Sequence, residues 1–183
     1  MRSQKLAFVD TETTGLKPDR HELIEIGLVL AEQSLSPEKR ISLRVIEEWE
    51  MKIKPEHIED ADPEGLAVNH YSEEEWASAA SLKEVLAIFS EKTIDAIMVG
   101  HNVAHDFSFL QKSFAETGIE NKMHYHKLDT ISIAFAKLYG HEEVGKLSLR
   151  ALCEYLGVKN EHAHSALSDA RATYAVFKKL MEL

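Results

Sequence analysis

The hydrophobic pattern of the first fifty residues predicts three β-strands in succession. A continuous apolar run over Leu6–Val9 is typical of a strand buried on both faces, and a second run covers Leu23–Leu30. The short charged connection between them, residues 17–22, favours an antiparallel hairpin. After a turn predicted at residues 33–39, loose alternation of apolar and polar positions over Ile41–Lys54 predicts a third strand. The chain therefore begins as a three-strand meander.

Further along the chain, helical patterns alternate with short apolar runs. Apolar residues at helical spacing predict an amphipathic helix over Ser81–Lys92, with Ser81 as its N-cap. Residues 55–76 are polar, contain prolines and show little periodicity, so we expect a long irregular connection of the kind that is often functional. The remaining predicted elements are strands at Asp95–Gly100 and His126–Asp129, a helix that Gly118 ends, and helices at Thr130–Tyr139, Leu147–Leu156 and Ser165–Leu180.

This order of elements predicts an α/β fold. We expect a central mixed five-stranded sheet, formed by the meander and then by β-α-β units, with helices flanking it. With 183 residues, of which 44% are hydrophobic and 28% charged, the chain is predicted to form one domain over residues 1–183. No apolar stretch approaches the roughly 20 residues of a membrane helix, and no signal-peptide pattern precedes the first strand, so no membrane partner is expected.

The cysteine content and the charge narrow the function classes. Cys153 is the single cysteine, which excludes an intramolecular disulfide and suits a reducing compartment. It lies in an apolar helical pattern, so we predict a small core residue and a cytoplasmic protein. The net charge of -10 argues against broad, non-specific nucleic-acid binding, which uses a basic face. A narrow metal-dependent site stays possible, because clustered carboxylates contribute to that negative charge.

Two carboxylates follow the first apolar strand directly. Side chains alternate along a strand, so Asp10 and Glu12 are predicted to lie on the same side. Two negative charges on one face at the end of a core strand repel each other and resist dehydration. A divalent cation with a preference for oxygen ligands would offset them. The alternative is a strand that ends at the surface with solvated acids.

Two more acids and a histidine lie near helix starts that follow strands or loops. Asp106 follows the fourth predicted strand, and Asp169 lies five residues after His164. Each has a simpler interpretation: an acid favoured by a helix N-terminus, or a loop histidine. However, ligands of open α/β sheets lie at the carboxyl ends of the strands. Four carboxylates converging there would suit two Mg²⁺ or Mn²⁺ ions of the kind used in phosphoryl displacement, with His164 as a proton acceptor.

Three ordered segments carry a family resemblance that covers nearly the whole chain. Phe8–Leu16, with Ile24–Gly27 after it, resembles the first motif of the DEDD 3′–5′ exonucleases. Gly100–Asn102 followed by Asp106 is similar to the second motif. His164–Ala170 is similar to the third in its His-x4-Asp form, which marks the DEDDh branch. That branch includes the proofreading epsilon subunit of bacterial DNA polymerase III and ribonuclease T.

The resemblance implies a ribonuclease H-like fold and stepwise release of nucleoside 5′-monophosphates from a 3′ end. By the family pattern, Asp10 would contact both metal ions, and Glu12 and Asp169 would complete the site of the ion that binds the nucleophile. Asp106 would support the second ion, and His164 would be the general base. The residues expected to hold the terminal nucleotide are Thr13, Thr14, Leu16, His101 and Asn102. His105 stands where the second motif usually has Phe or Tyr, which puts the packing of that nucleotide in question.

Several alternatives remain open at this point. A non-catalytic binding module on the same fold would be expected to lack one of the five site residues, and all are present. A proofreading subunit would act only with a DNA polymerase partner, whereas a stand-alone enzyme would act on single-stranded 3′ ends. An RNA-trimming exoribonuclease is a third reading, although the Asp-Thr-Glu-Thr-Thr-Gly form of the first motif favours it less. Monomer and homodimer are both compatible with the branch.

Overall fold

A computed structural model describes residues 4–35, 41–141, 143–160 and 165–183. Five strands form one sheet in the order β3-β2-β1-β4-β5. The strands are β1 Leu6–Thr13, β2 Leu23–Leu35, β3 Ile41–Lys52, β4 Ile97–Gly100 and β5 Lys127–Asp129. β1 and β2 are antiparallel, as are β2 and β3, whereas β4 lies parallel to both β1 and β5. The predicted mixed five-stranded sheet is confirmed, and β1 lies at its centre.

Seven helices are present in the described part of the chain. They are α1 Pro63–Val68, α2 Glu73–Trp76, α3 Leu82–Lys92, α4 Val103–Thr117, α5 Thr130–Lys137, α6 Leu149–Leu156 and α7 Ala166–Glu182. Ser81 caps α3 through a reciprocal pair of hydrogen bonds with Glu84, and Gly118 ends α4 in a left-handed conformation, as predicted. The other predicted helices are also present, with ends that differ by a few residues.

The predicted turn at residues 33–39 is placed too early. β2 continues to Leu35, which pairs with Ile41 at the start of β3. Polar residues at the end of β2 continue the strand because its neighbour supplies backbone hydrogen-bond partners, which a pattern of apolar positions does not record. Within the predicted turn, residues 36–40 lie outside the described part of the chain.

The connection over residues 55–76 is more ordered than predicted. It contains a 3₁₀ turn at Ile58–Asp60, together with α1 and α2. Asp62 caps α1 by accepting from the Glu64 amide, and the Trp76 indole at the end of α2 donates to the Ile24 carbonyl. These helices are too short to show periodicity in sequence, and contacts with the sheet stabilise them instead.

The alternation of β1 divides the core into two layers. Ala7 and Val9 pack with residues of α3 and α4 on one face of the sheet. Leu6 and Phe8 pack against α7 on the other face, where the rings of Phe8 and Phe177 meet edge to face with centroids 5.4 Å apart. Odd positions of β1 therefore face α4, and even positions face α7.

A third apolar cluster joins α5, α6 and α7 behind the sheet. Cys153 lies in it with 4% of its surface exposed, so the predicted core role of this residue is confirmed. The helices of the described ranges are each too short or too polar to cross a bilayer.

Candidate active site

Three carboxylates meet at the carboxyl end of β1, on its α7 face. Asp10 and Glu12 are even positions of β1, so both point towards α7, and Asp169 lies in the first turn of that helix. One carboxylate oxygen from each of the three lies within 4.8 Å of the other two. The predicted convergence of these three acids is therefore present in the structure.

The start of α7 is seated directly on the sheet. Gly27 of β2 pairs with Asp10 on one side and with Glu50 of β3 on the other. A Cβ atom at Gly27 would lie 2.2 Å from the Ala166 carbonyl carbon, so only glycine allows this approach. Glu50 accepts hydrogen bonds from the Leu167 amide and the Ser165 hydroxyl at the helix start. This seat places Asp169 over Asp10.

Asp106 approaches from the opposite face of the sheet. Thr11 is an odd position of β1, and it donates to one Asp106 oxygen from its amide at 2.9 Å and from its hydroxyl at 2.7 Å. β1 and β4 are parallel neighbours, which is why α4 begins beside this strand. Asp106 is therefore close enough to raise the pKa of Asp10, but it lies outside the group of three oxygens.

Burial and mutual repulsion perturb the titration of this group. Burial, followed by the charges of Asp106, Asp169 and Glu12, raises the pKa of Asp10 well above its ordinary value. Burial, followed by the charges of Asp169 and Asp106, raises the pKa of Glu12 to about 8. Burial also raises the pKa of Asp106 to about 7, although the hydrogen bonds from Thr11 oppose that rise. Among the described residues, no cation offsets the charge of Asp10 or Glu12.

These residues fit a divalent cation. They offer only carboxylate oxygens, which are the ligands that Mg²⁺ and Mn²⁺ prefer, and their spacing lets three side chains reach one ion. Because carboxylates this close together repel one another, added positive charge at this position would be stabilising. The arrangement can therefore hold a metal ion.

The turn after β1, which we call the substrate turn (Thr13–Leu16), is held by hydrogen bonds from other segments. The Asn69 side-chain amide, at the end of α1, donates to the Thr13 carbonyl at 2.7 Å. The Asp62 amide donates to the Thr14 carbonyl, also at 2.7 Å. The His21 ring lies directly beside Gly15, where a Cβ atom would come within 2.3 Å of it. The connection before α3 thus fixes the shape of this turn.

The predicted nucleotide-contacting residues lie around this end of the sheet in different environments. Thr13 and Thr14 are buried, whereas the Leu16 side chain is 77% exposed. The His101 ring lies 2.9 Å from the Thr130 hydroxyl, and burial lowers its pKa. Asn102 is exposed and adopts a left-handed conformation at the start of α4. His105 packs beside Phe109, with ring centroids 5.1 Å apart, and burial lowers its pKa.

The sequence prediction of the site has one residue that the structure does not describe, and it misses three supporting residues. His164, the predicted general base, lies outside the described residues. Three residues to which the motifs assign no role support the acids: Thr11 holds Asp106, Glu50 holds the start of α7, and Asn160 donates to Asp169. A glycine inside an apolar strand, such as Gly27, is the sequence signal of a close backbone approach, but the other contacts join distant segments and leave no local signal.

Comparisons with known proteins agree with this geometry. The family model described as exonuclease matches residues 7–177. The chain is 30% identical over 176 residues to DNA polymerase III PolC-type of Thermotoga maritima, a match that covers 96% of this chain and 12% of that protein. The corresponding protein of Caldanaerobacter subterraneus is 30% identical over 175 residues, with 94% and 11% covered. The chain spans less than an eighth of the length of these relatives.

Solved structures share the fold at lower sequence identity. E. coli exonuclease I in complex with a dT13 oligonucleotide superposes with a TM-score of 0.75 at 18% identity, covering 96% of this chain and 40% of that one. A zinc-bound complex of E. coli exonuclease I with single-stranded DNA gives 0.79 at 19% identity, covering 98% and 41%. The ribonuclease H-like fold that the motifs imply is confirmed.

Proposed function

We propose a specific activity for this chain, which belongs to the exonuclease family. The chain is a metal-dependent 3′–5′ exonuclease that acts on single-stranded DNA. The observation that carries this proposal is the group of Asp10, Glu12 and Asp169 oxygens within 4.8 Å of one another. Residues 1–183 would work as one exonuclease domain, and the single buried Cys153 suits a cytoplasmic location.

We assign the acids to two divalent cations, Mg²⁺ or Mn²⁺. Asp10 would contact both, Glu12 and Asp169 would complete one position, and Asp106 would support the other. When bound, the ions would supply Lewis-acid activation and neutralise charge on the scissile phosphate. Thr11 has a separate task, because its two hydrogen bonds favour the ionised form of Asp106 and keep that carboxylate at the edge of the cluster.

The reaction is hydrolysis of the last phosphodiester bond of the strand. Water attacks the phosphorus atom of the 3′-terminal nucleotide, and the bond to the 3′ oxygen of the preceding nucleotide breaks. His164 would take the proton from the attacking water, and the products are a nucleoside 5′-monophosphate and a strand with a new 3′ hydroxyl. The role of His164 rests on the His-x4-Asp motif.

The terminal nucleotide would be held by the substrate turn and by the start of α4. The exposed Leu16 offers an apolar surface for the terminal base, and the backbone of Thr13 and Thr14 is fixed in shape beneath it. His101, Asn102 and His105 would complete the contacts from the other side. The half-buried His105 ring can pack against a sugar or base as an aromatic residue does.

The relatives favour a second candidate function. Both are polymerases of which this chain matches a small part, so the domain could serve as the proofreading unit of a DNA polymerase. DNA is favoured over RNA because the relatives are named as DNA polymerases and the solved neighbours carry DNA. The acidic net charge further favours short or frayed single-stranded ends.

The test uses one oligonucleotide sequence, made as DNA and as RNA, and each is labelled either at its 5′ end or at its 3′ end. With Mg²⁺ or Mn²⁺, we expect a 3′ label to be released at once as a mononucleotide and a 5′-labelled strand to shorten by one nucleotide at a time. In EDTA, neither labelled strand should be degraded. Asp10→Asn should abolish both signals, whereas Glu32→Gln, an exposed acid on β2, should leave them unchanged. Faster loss of the RNA would assign an exoribonuclease. Release from the 5′ end, or equal activity in EDTA, would refute the proposal.

A further inference from the structure

The side chains of Asn160 and Ser168 form a chain of hydrogen bonds that ends on Asp169. Asn160, three residues after the glycine that ends α6, donates from Nδ2 to Asp169 Oδ1 at 2.6 Å. Ser168 Oγ donates to Asn160 Oδ1 at 2.9 Å. The Asp169 carboxylate only accepts hydrogen bonds, so the Asn160 amide must face it with its nitrogen, and the Ser168 hydroxyl, which can donate, then restrains the amide through its oxygen. Its NH₂ group is thereby directed at Asp169.

This contact acts on a carboxylate that its neighbours repel. One oxygen of Asp169 lies within 4.8 Å of an oxygen of Asp10 and of Glu12, so like charges on these groups repel one another. A carboxylate rotates readily about its last bond, and repulsion favours rotation away from the group. A hydrogen bond to an ionised oxygen is stronger than one between neutral groups, so Asn160 can fix the plane of the Asp169 carboxylate.

We propose that Asn160 is a positioning residue, which holds the Asp169 carboxylate towards Asp10 and Glu12 so that a divalent cation binds tightly. The inference rests on the proposed function, because it takes Asp169 as a metal ligand. An amide suits this role better than a lysine or arginine would. It donates a hydrogen bond without adding positive charge, so the full attraction of Asp169 for a cation is retained.

The surroundings of Asn160 separate this role from one in core packing. A cavity of about 440 Å³ adjoins Asn160 and Asp169, and Leu149, Cys153 and Val158 line its other side. Asn160 thus borders open space and fills no gap in the core. Because Asn160 is only partly buried, truncating its side chain removes the hydrogen bond to Asp169 without leaving a void in the core, and we expect the metal-free fold to tolerate Asn160→Ala.

The experiment is calorimetric titration of Mn²⁺ into the metal-free full chain, with the melting temperature measured in EDTA as a check on folding. Asn160→Ala should weaken Mn²⁺ binding by about 10-fold, the low end of the range for partners of metal ligands. Ser168→Ala, which frees the amide to turn, should weaken it by about 3-fold. Glu154→Gln borders the same cavity without touching Asp169 and should bind as wild type does. Saturating Mn²⁺ should restore the kcat of Asn160→Ala.

The outcomes distinguish failure of the positioning role from failure of the proposed function. If wild type binds Mn²⁺ and both Asn160→Ala and Ser168→Ala bind it equally well, the positioning role is wrong while the proposed function stands. If Asn160→Ala does not fold, unchanged Mn²⁺ affinity in Ser168→Ala refutes the inference by itself. If wild type binds no Mn²⁺, the proposed function fails and the inference with it.

Discussion

The carboxylate group and the substrate turn adjoin each other on one strand, yet different interactions hold them. Asp10 and Glu12 are surrounded by other acids, and burial and repulsion raise the pKa of each. The carbonyls of Thr13 and Thr14, a few residues later, each accept a hydrogen bond from the connection before α3. In the first region neighbouring charges repel one another, whereas in the second the two carbonyls are held by donors from another segment.

This difference indicates that the carboxylate group and the substrate turn have separate roles. Buried acids that no cation of the described residues offsets, such as Asp10 and Glu12, are suited to binding a cation from solution, which would complete their geometry. A turn held by hydrogen bonds to the Thr13 and Thr14 carbonyls keeps one shape whether or not a ligand is bound, which suits recognition of a constant chemical group such as a strand terminus. Variants in the two regions should therefore respond differently to metal.

The largest effect is expected from Asp10→Asn. Removing the acid common to both proposed ions should lower kcat by about 10³-fold, because a metal ion supplies several kcal/mol of transition-state stabilisation. In EDTA the same variant should melt at a higher temperature than wild type, since one repelling charge is gone. Single-turnover kinetics and thermal melts in EDTA measure the two effects, with Glu32→Gln as the control. A variant that loses activity and also loses stability in EDTA would contradict the repulsion argument.

Metal binding should stabilise the wild-type protein next most strongly. A ligand that binds only the folded state at 100 times its dissociation constant adds about 2.7 kcal/mol. We expect the melting temperature to rise on adding Mg²⁺ or Mn²⁺ and to return on adding EDTA. Asp10→Asn should show little of this rise. An equal rise in both proteins would place the stabilising ion elsewhere.

Asn69→Ala should separate the substrate turn from the metal. The change leaves the buried Thr13 carbonyl without its side-chain donor, which costs about 1–3 kcal/mol of unfolding free energy. The loss should be the same with metal and in EDTA, and KM for the oligonucleotide should rise more than kcat falls. Urea denaturation and steady-state kinetics measure these quantities. Asn121→Ala, which removes only an exposed local hydrogen bond, is the matched control. A loss of stability confined to the metal-bound protein would show that the substrate turn and the metal site are not independent.

The last expected effect is a pH dependence that is confined to the metal-free protein. The pKa of Glu12 is raised in the folded state from 4.5 to about 8, so the folded state keeps a proton that the unfolded state releases. This contribution to stability is fully present below pH 4.5 and is lost as the pH rises through about 8. The melting temperature in EDTA should therefore fall across this window by more in wild type than in Glu12→Gln. Equal slopes would show that Glu12 does not carry the dependence.

Sequence patterns predict the parts of this site that depend on local periodicity. The alternation of β1 gives the common side of Asp10 and Glu12, and the turn residues give the position of the substrate turn. The partners of those groups were not predictable, because Thr11 and Asp106 lie 95 residues apart and Asn69 and Thr13 lie 56 apart. The register of strands and helices, rather than any local preference, brings them together.

The dependence on long-range contacts also explains where the predicted fold was wrong. α1 and α2 were expected to be irregular because each is about one turn long, so neither shows a helical repeat. Caps and a buried indole contact with the sheet hold them. The end of β2 was taken for a turn because its polar residues lie beyond the apolar run, although pairing with β3 keeps them extended. In both cases long-range contacts outweigh the local pattern.

Gly27 supplies no atom to the chemistry, yet it sets the height of α7 above the sheet. A methyl group there would lie 2.2 Å from the backbone of Ala166 and would lift the start of the helix. Asp169 would rise with it, away from Asp10. In a saturation screen for activity, position 27 should thus be as intolerant as the acids themselves, although the protein could still fold. Sites ranked by mutational sensitivity alone would then count this spacer among the ligands.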